Sequence, residues 1–400
     1  MTDAAPGPAS FLDAAAMPAE GLAYLDNAAT TWPKPPGVAE AMIRYLADVG
    51  GSPGRAGHRL AQQAGREVLE ARERLGDLLG APDPEAIVLT KNATEALNIA
   101  ILGTLREGDR VIVGGLEHNS VMRPLRHLEA TRGVVVDVVP AAPDGSVDAD
   151  RLRAAGRTPA RLVVIAHASN VTGAIAPISA AAEAAAAAGA RLLVDAAQSA
   201  GSLPIDMTAM GIDMLAVTGH KGLFGPQGTG ALLVRGEWPE PLMFGGTGSN
   251  SEAEVQPDFL PDRLESGTLN GVGFAGLAAG LAYVAGEGVD AIHRRSAVRL
   301  GRLLEGLAAI PGVTLHGPAD PERQIAVLSF TMRDQTPAEI GMALDERWGI
   351  LTRVGLHCAP AAHRALGTFP GGTVRLSLSD RNTDEHVERT IAAVRELAGR

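Results

Sequence analysis

Between Ile87 and Val234 the chain alternates short runs of aliphatic, mostly β-branched residues with longer stretches of helical composition. The runs predict strands at Ile87–Leu89, Val111–Val113, Val134–Val139, Leu162–Ala166, Leu192–Asp195, Met214–Thr218 and Ala231–Val234. Most lack an apolar–polar alternation, which marks strands covered on both faces. The stretches Thr94–Leu105, Ser120–Thr131 and Ile178–Ala188 predict helices between them. Strand and helix in alternation predict an α/β lobe, with a mostly parallel seven-stranded sheet and helices on both sides. Beyond Gly267 the pattern changes. Helices are expected over Gly271–Glu287, Val289–Leu307, Pro337–Arg347 and Asp384–Leu397, with strands at Ile325–Phe330, Leu351–Arg353 and Thr373–Leu378. That order predicts a smaller α+β lobe. Residues 1–20 carry no periodicity and are expected to form an N-terminal arm packed on the small lobe. The large lobe is then placed at 21–265 and the small lobe at 266–400.

Length and charge narrow the function. A chain of 400 residues exceeds what one core usually supports, in line with two lobes. The net charge is −11 and no Lys/Arg run exists, so neither nucleic acid nor an anionic membrane is an expected partner. Met1–Ser10 shows no basic and apolar segments of a signal peptide. The longest apolar stretch, 271–286, falls short of the roughly 18 residues a membrane span needs. A cytoplasmic protein is the expectation. Cys358 is the single cysteine, so it forms no internal disulfide and cannot alone build a zinc site; no metal is expected.

In parallel α/β sheets ligands bind beyond the carboxyl ends of the strands, so the residues that follow each strand are the candidates. After the first strand, Thr94 stands at a helix start, where free N–H groups offer an anion seat; a plain helix cap is the alternative. After the second comes His118, able to stack on an aromatic ligand and pass protons, or simply to bond within its loop. Asn170 follows the strand Leu162–Ala166 and could bond a ring substituent or serve the turn. Asp195 ends an apolar strand, where a carboxylate wants a cationic partner such as a protonated pyridine nitrogen. Lys221 lies in the glycine-punctuated turn Thr218-Gly219-His220-Lys221-Gly222, off any charged helix face. An amine held there can lose its proton and form a Schiff base. Asp195 precedes it by 26 positions, room for one helix and a neighbouring strand, so the two can grip opposite ends of one ring. In the small lobe Arg375 sits within an apolar strand and needs an anion, either a substrate carboxylate or an internal partner. Arg353 and His357 flank Cys358 in a loop, and nearby positive charge favours the thiolate nucleophile.

These residues resemble the class V aminotransferase superfamily, and within it the cysteine desulfurases and selenocysteine lyases. The likeness runs from Tyr24-Leu25-Asp26-Asn27-Ala28-Ala29-Thr30 to Arg375-Leu376-Ser377. Its most specific pieces are Asp195-Ala196-Ala197-Gln198, Thr218-Gly219-His220-Lys221 and the loop from Arg353 to His357-Cys358-Ala359-Pro360, a compact cysteine loop like that of the SUF-type subgroup. The resemblance implies fold type I of the pyridoxal phosphate (PLP) transferases and a homodimer with a shared active site. It implies that Lys221 carries PLP and acts as base, that His118 stacks on the ring and shuttles protons, and that Asp195 pairs with the ring nitrogen. Gln198 would contact the ring oxygen. Ala93, Thr94, Thr218 and His220 would surround the phosphate, joined by Thr268 from the second subunit. Arg375, with Asn170 and the segment Asn27–Ala29, would fix the substrate carboxylate. Arg353 would neighbour Cys358, and Arg55 and His58 would line the entrance from across the dimer. The reaction implied converts L-cysteine to L-alanine, leaving a persulfide on Cys358 for an acceptor protein. Selenocysteine lyase, cysteine or cystine β-lyase, and an epimerase or aminotransferase of the same superfamily are the rival readings. The chain departs from the pattern at Ala93, where a Ser or Thr is frequent, at Leu356, where a polar residue is common, and in the run from Gly245 to Asn250.

Overall fold

The computed structural model describes residues 21–54, 57–81 and 83–399. The expected arm over 1–20 lies outside them, as does Arg55. All seven expected strands of the large lobe form one seven-stranded sheet. Its order is 87–90, 230–234, 214–218, 191–195, 162–166, 110–114 and 135–139. Strand Gly230–Val234 runs against both its neighbours, and the remaining pairs are parallel. Thr90, Gly114, Ala166, Asp195 and Thr218 therefore end their strands on one edge of the sheet. The four strands 87–90, 162–166, 191–195 and 214–218 are almost wholly buried. Two apolar layers, one on each face, cover them.

Helix Arg59–Leu79 fills much of one layer, although the chain ahead of Ala86 shows no strand–helix rhythm. Its buried positions Ala61, Ala64, Val68, Ala71, Leu75 and Leu79 follow the three-to-four spacing of a helix face. Alanines carry half of that stripe, so the signal is faint. Helix Gly271–Glu287 packs beside it, and Phe274, Leu277, Ala278 and Leu281 join the large-lobe core. A boundary at 266 would cut this helix from the core it completes. Ile292 still packs with Phe224 and Val284, and the small-lobe core takes up the next helix from Leu300 onward. Ala23 and Leu25, in turn, belong to the small-lobe core with Leu300, Phe330 and Leu376. A four-stranded antiparallel sheet, in the order 353–355, 373–377, 327–332 and 313–316, frames that lobe. Strand Val313–His316 is an addition to the sequence reading.

The edge strand Ile87–Thr90 has no strand on its outer side. The Ile87 carbonyl instead accepts from Arg72, and the Leu89 N–H donates to Glu265. The two side chains also form a bidentate ion pair, with the closest contact at 2.5 Å, and both are buried. The pair closes an open sheet edge, and loss of one partner of such a pair costs about 3–5 kcal/mol. Among the described residues no single helix is long and apolar enough to cross a membrane.

Candidate active site

The pocket at the carboxyl edge of the sheet collects residues from five strand ends. Ala93, Thr94, His118, Asn170, Asp195, Gln198, Thr218, His220 and Lys221 all line it. Asp195 and Lys221 come from neighbouring parallel strands, with Asp195 in register with Ala216. The expected convergence of amine and carboxylate is thus met by two adjacent strand ends.

Asn92, not Thr94, caps helix Ala93–Thr104: its side chain accepts the Glu95 N–H at 3.0 Å. Among the described residues the Thr94 hydroxyl, in the first turn, has no partner. His118 caps helix Asn119–Arg132, and its Nδ1 accepts the Ser120 N–H at 3.1 Å. The cap leaves Nε2 as the ring nitrogen that carries the proton. Burial, reinforced by Lys221, Arg353 and two further arginines, lowers the His118 pKa to about 4, so the ring is neutral at neutral pH. Burial also lowers His220 to about 4. Lys221 is pulled down to about 8, first by burial; Asp195 opposes that shift. Burial raises Asp195 above the usual carboxylate range, against the Ala197 N–H that Oδ1 accepts at 2.9 Å and the charge of Lys221. No donor among the described residues meets its Oδ2.

The cysteine loop crosses from the small lobe. His357 and Cys358 both have positive φ, at 48° and 57°. Consecutive left-handed residues other than glycine are strained and persist only where their surroundings fix them. Here the Asn170 amide donates to the His357 carbonyl at 2.6 Å, and the Asn119 N–H donates to the Cys358 carbonyl at 2.9 Å. The loop is thereby tied to the strand-end segment of Asn170 and to the helix that starts beside His118. Cys358 is exposed, and Arg353 Nη2 lies 4.0 Å from its Sγ. An open groove leads from Cys358 past His118 to Arg123 and His127. His357 does not assist the thiol by charge. Its ring is buried, bonded through Nε2 to Thr373, and lowered to about 2 by burial first and Arg375 second. Arg353 alone of the two expected neighbours supplies charge.

A model of the class-V aminotransferases matches residues 23–390. The chain belongs to that family. A probable cysteine desulfurase of Methanothermobacter thermautotrophicus is 38% identical over 385 residues, which cover 94% of each chain. The apo structure of a cysteine desulfurase from Thermococcus onnurineus superposes with a TM-score of 0.88 at 32% identity, over 94% of this chain and 95% of that one. A cysteine desulfurase from Escherichia coli, solved in an S-sulfonic acid form, gives 0.83 at 30% identity over 98% of each chain.

Several side chains expected at the substrate are engaged inside this class V fold. Arg375 is buried, with Nη2 2.7 Å from Asp26 Oδ1 and Nη1 donating to the Asn170 carbonyl at 3.1 Å; Nε has no partner. Arg353 and Arg375 face each other across neighbouring strands. The N–H groups of Asn27, Ala28 and Ala29 bond to Ser377 and Asp26, and the Asn27 amide bonds to Tyr24, Ser377 and Asn382. The segment Asn27–Ala29, expected at the substrate carboxylate, thus has its donors engaged within the protein. Asn170 reaches the pocket but spends a donor on the cysteine loop. Gln198 donates to the Ala28 carbonyl at 3.0 Å. Thr268 and His58, expected to act from across a dimer, lie outside the pocket of their own chain. Thr268 lines a separate cleft with Leu242 and Met243, and exposed His58 caps helix Arg59–Leu79. Sequence reasoning passed over Asn119 and Lys34. Asn119 gave no signal, because a main-chain donor is the same in every residue. Lys34, set between two prolines, was a visible oddity.

The residues present fit PLP. Among the described residues Thr218 Oγ1 and His220 Nδ1 are buried without a partner, beside the first turn of helix Ala93–Thr104, where the Asn92 cap takes only the Glu95 N–H. Orphaned donors and a helix start suit a phosphate. The under-bonded Asp195 carboxylate suits a ring N–H. Gly219 and Gly230 keep the turn close: a Cβ at Gly219 would meet Thr229 at 2.1 Å, and one at Gly230 the Asn92 backbone at 2.7 Å. An amine with a pKa of about 8 attacks an aldehyde only after losing its proton. PLP capture by the stripped protein should therefore rise with pH and level off above about pH 8, well below the 10.5 of an ordinary lysine. Borohydride trapping followed by peptide mass analysis reads the yield on Lys221.

Proposed function

We propose that the chain is a PLP-dependent cysteine desulfurase that moves the sulfur of L-cysteine onto Cys358 and releases L-alanine. The observation that carries this reading is the exposed thiol of a strained loop, bonded to the helix start beside His118, at the mouth of a pocket lined by Lys221 and Asp195. The named relatives support the same activity. Bound PLP supplies an electron sink for charge that develops on the substrate. Lys221 Nζ, depressed by burial, takes the proton from the substrate Cα. Asp195 holds the positive end of the ring. His118 donates from Nε2, because its Nδ1 is committed to the helix cap. Arg375 offers its unpartnered Nε–H, and the free N–H positions of its Nη groups, to the substrate carboxylate. The Cys358 thiolate then bonds to the substrate sulfur as the Cβ–S bond breaks. That bond's electron pair stays on carbon; a proton added at Cβ, and the return to Cα of the proton that Lys221 took, complete alanine.

A second copy of the chain covers the exposed Leu242, Met243 and Phe244, and its Thr268 and His58 reach the neighbouring pocket. The persulfide passes to an acceptor protein along the groove of Arg123. A lone working thiol belongs in a reducing compartment, and the cytoplasm is the location we propose.

The test is product analysis. PLP-loaded protein given L-cysteine should release alanine in step with one sulfur added to Cys358, seen in the intact mass. Pyruvate and free sulfide in place of alanine would overturn the desulfurase reading in favour of a β-lyase.

A further inference from the structure

We propose that Lys34 is a positioning residue for Lys221, clamping the peptide bond that precedes the cofactor lysine. Lys34 lies in Trp32-Pro33-Lys34-Pro35-Pro36, far from Lys221 in sequence. Its ammonium donates to the His220 carbonyl at 2.9 Å and to Thr31 Oγ1 at 2.8 Å. The same carbonyl accepts from the Thr31 N–H at 3.0 Å and has the Thr30 and Thr31 hydroxyls at 3.1 and 3.2 Å. Thr31 Oγ1 also lies 3.0 Å from the Lys221 carbonyl. One carbonyl has two lone pairs, so four donors around it exceed what satisfaction requires.

The hydrogen count gives Lys34 a second task. A hydroxyl has a single hydrogen, and Thr31 Oγ1 receives one from Lys34. Its own hydrogen is then free for the Lys221 or His220 carbonyl, and the chain from Lys34 through Thr31 holds the main chain on both sides of the Lys221 Cα. Charge-assisted bonds of this kind are about twice as strong as neutral ones.

Among the described residues the Lys34 ammonium meets no carboxylate, only neutral oxygens. An unpaired, largely buried charge is costly, and burial lowers its pKa to about 8. What the fold gains is a fixed anchor for a lysine on a long flexible stem, set in a turn with Gly219 before it and Gly222 after it. Lys221 must reach one atom of the cofactor and, once displaced, one atom of the substrate. A misplacement of about 1 Å can cost about 10²-fold in rate. The segment that carries Lys34 has a second attachment. Ala23–Tyr24 pairs with Ile350–Leu351, and Asp26 bridges to Ser377. The segment that grips the Lys221 turn is therefore joined through Ala23–Asp26 to strands of the small lobe.

The inference rests on Lys221 carrying PLP, but not on the identity of the substrate. The test strips PLP from the full-length protein with hydroxylamine and follows recapture of added PLP by its absorbance, alongside kcat and KM for L-cysteine. For Lys34→Met the expected result is recapture slowed at least about threefold and kcat lowered about tenfold, with KM within about twofold. Lys34→Arg, which keeps charge and donors, should recover most of the recapture rate; a merely structural loss would not follow charge. Should Lys34→Met fail to fold by circular dichroism, Lys34→Gln replaces it, with the same threefold threshold. Recapture slowed less than about threefold, or Lys34→Arg as slow as Lys34→Met, overturns the proposal. A wild type that takes up no PLP at all overturns the cofactor reading and this one with it.

Discussion

Cys358→Ala is expected to lower alanine release from L-cysteine by about 10³-fold or more while the PLP absorbance stays intact. The thiol is the one group near the pocket able to take a sulfur atom, since the chain has no other cysteine. Its side chain is exposed and, among the described residues, meets only Arg353 at 4.0 Å, so removing Sγ leaves the Asn119 bond to the backbone carbonyl in place. Cofactor binding depends on residues of the large lobe and should not change. Alanine measured by chromatography checks the rate, and the visible spectrum checks the cofactor. The same variant separates two chemistries. Selenium leaves carbon readily, so a selenocysteine lyase would keep its rate on selenocysteine without the thiol. A Cys358→Ala protein that processes L-cysteine as fast as wild type would refute the nucleophile.

Lys221→Ala is expected to have the larger effect. The residue is both attachment point and base, and loss of a positioned base alone costs about 10²–10⁴-fold. No turnover should be measurable, and borohydride should fix no PLP to the chain. The fold should tolerate the change. Lys221 makes no side-chain hydrogen bond among the described residues, and its amine is held in a site that disfavours charge. Removing it relieves a burial penalty, so thermal stability of the PLP-free protein should hold or rise. Linkage gives the sign independently. A lysine pKa lowered from 10.5 to about 8 in the folded state weakens the protein below that range, and the deficit shrinks as pH rises from about 8 to 10.5. A melting series across that interval, wild type against Lys221→Ala, should show the gap between the two closing at the alkaline end. A Lys221→Ala protein still labelled by borohydride would place the cofactor on another amine.

Sequence by itself determined the seven strands of the large lobe and the residues at their ends. Runs such as Leu192–Asp195 and Met214–Thr218 are apolar throughout because helices cover both faces, and a polar residue that closes such a run has few uses other than binding. Asp195 closes such a run, and Lys221 and His118 follow one within a few residues, so they stood out as candidates; Cys358 stood out as the single cysteine, in a loop with Arg353 and His357, and the family resemblance added the roles. Pairing direction was not legible. Gly230–Val234 runs against its neighbours, and nothing local in an apolar strand encodes which way its partner points. The lobe division was decided by packing, because the Gly- and Ala-rich helix Gly271–Glu287 looks alike whichever core receives it. The occupation of donors was likewise a tertiary matter. That Asn27 and Ala28 are spent on Ser377, that Asn170 serves the cysteine loop, and that Lys34 reaches the peptide before Lys221 all depend on segments about 190 to 350 residues apart. A side chain's type sets what bonds it can make; only the folded chain sets which of them are already made.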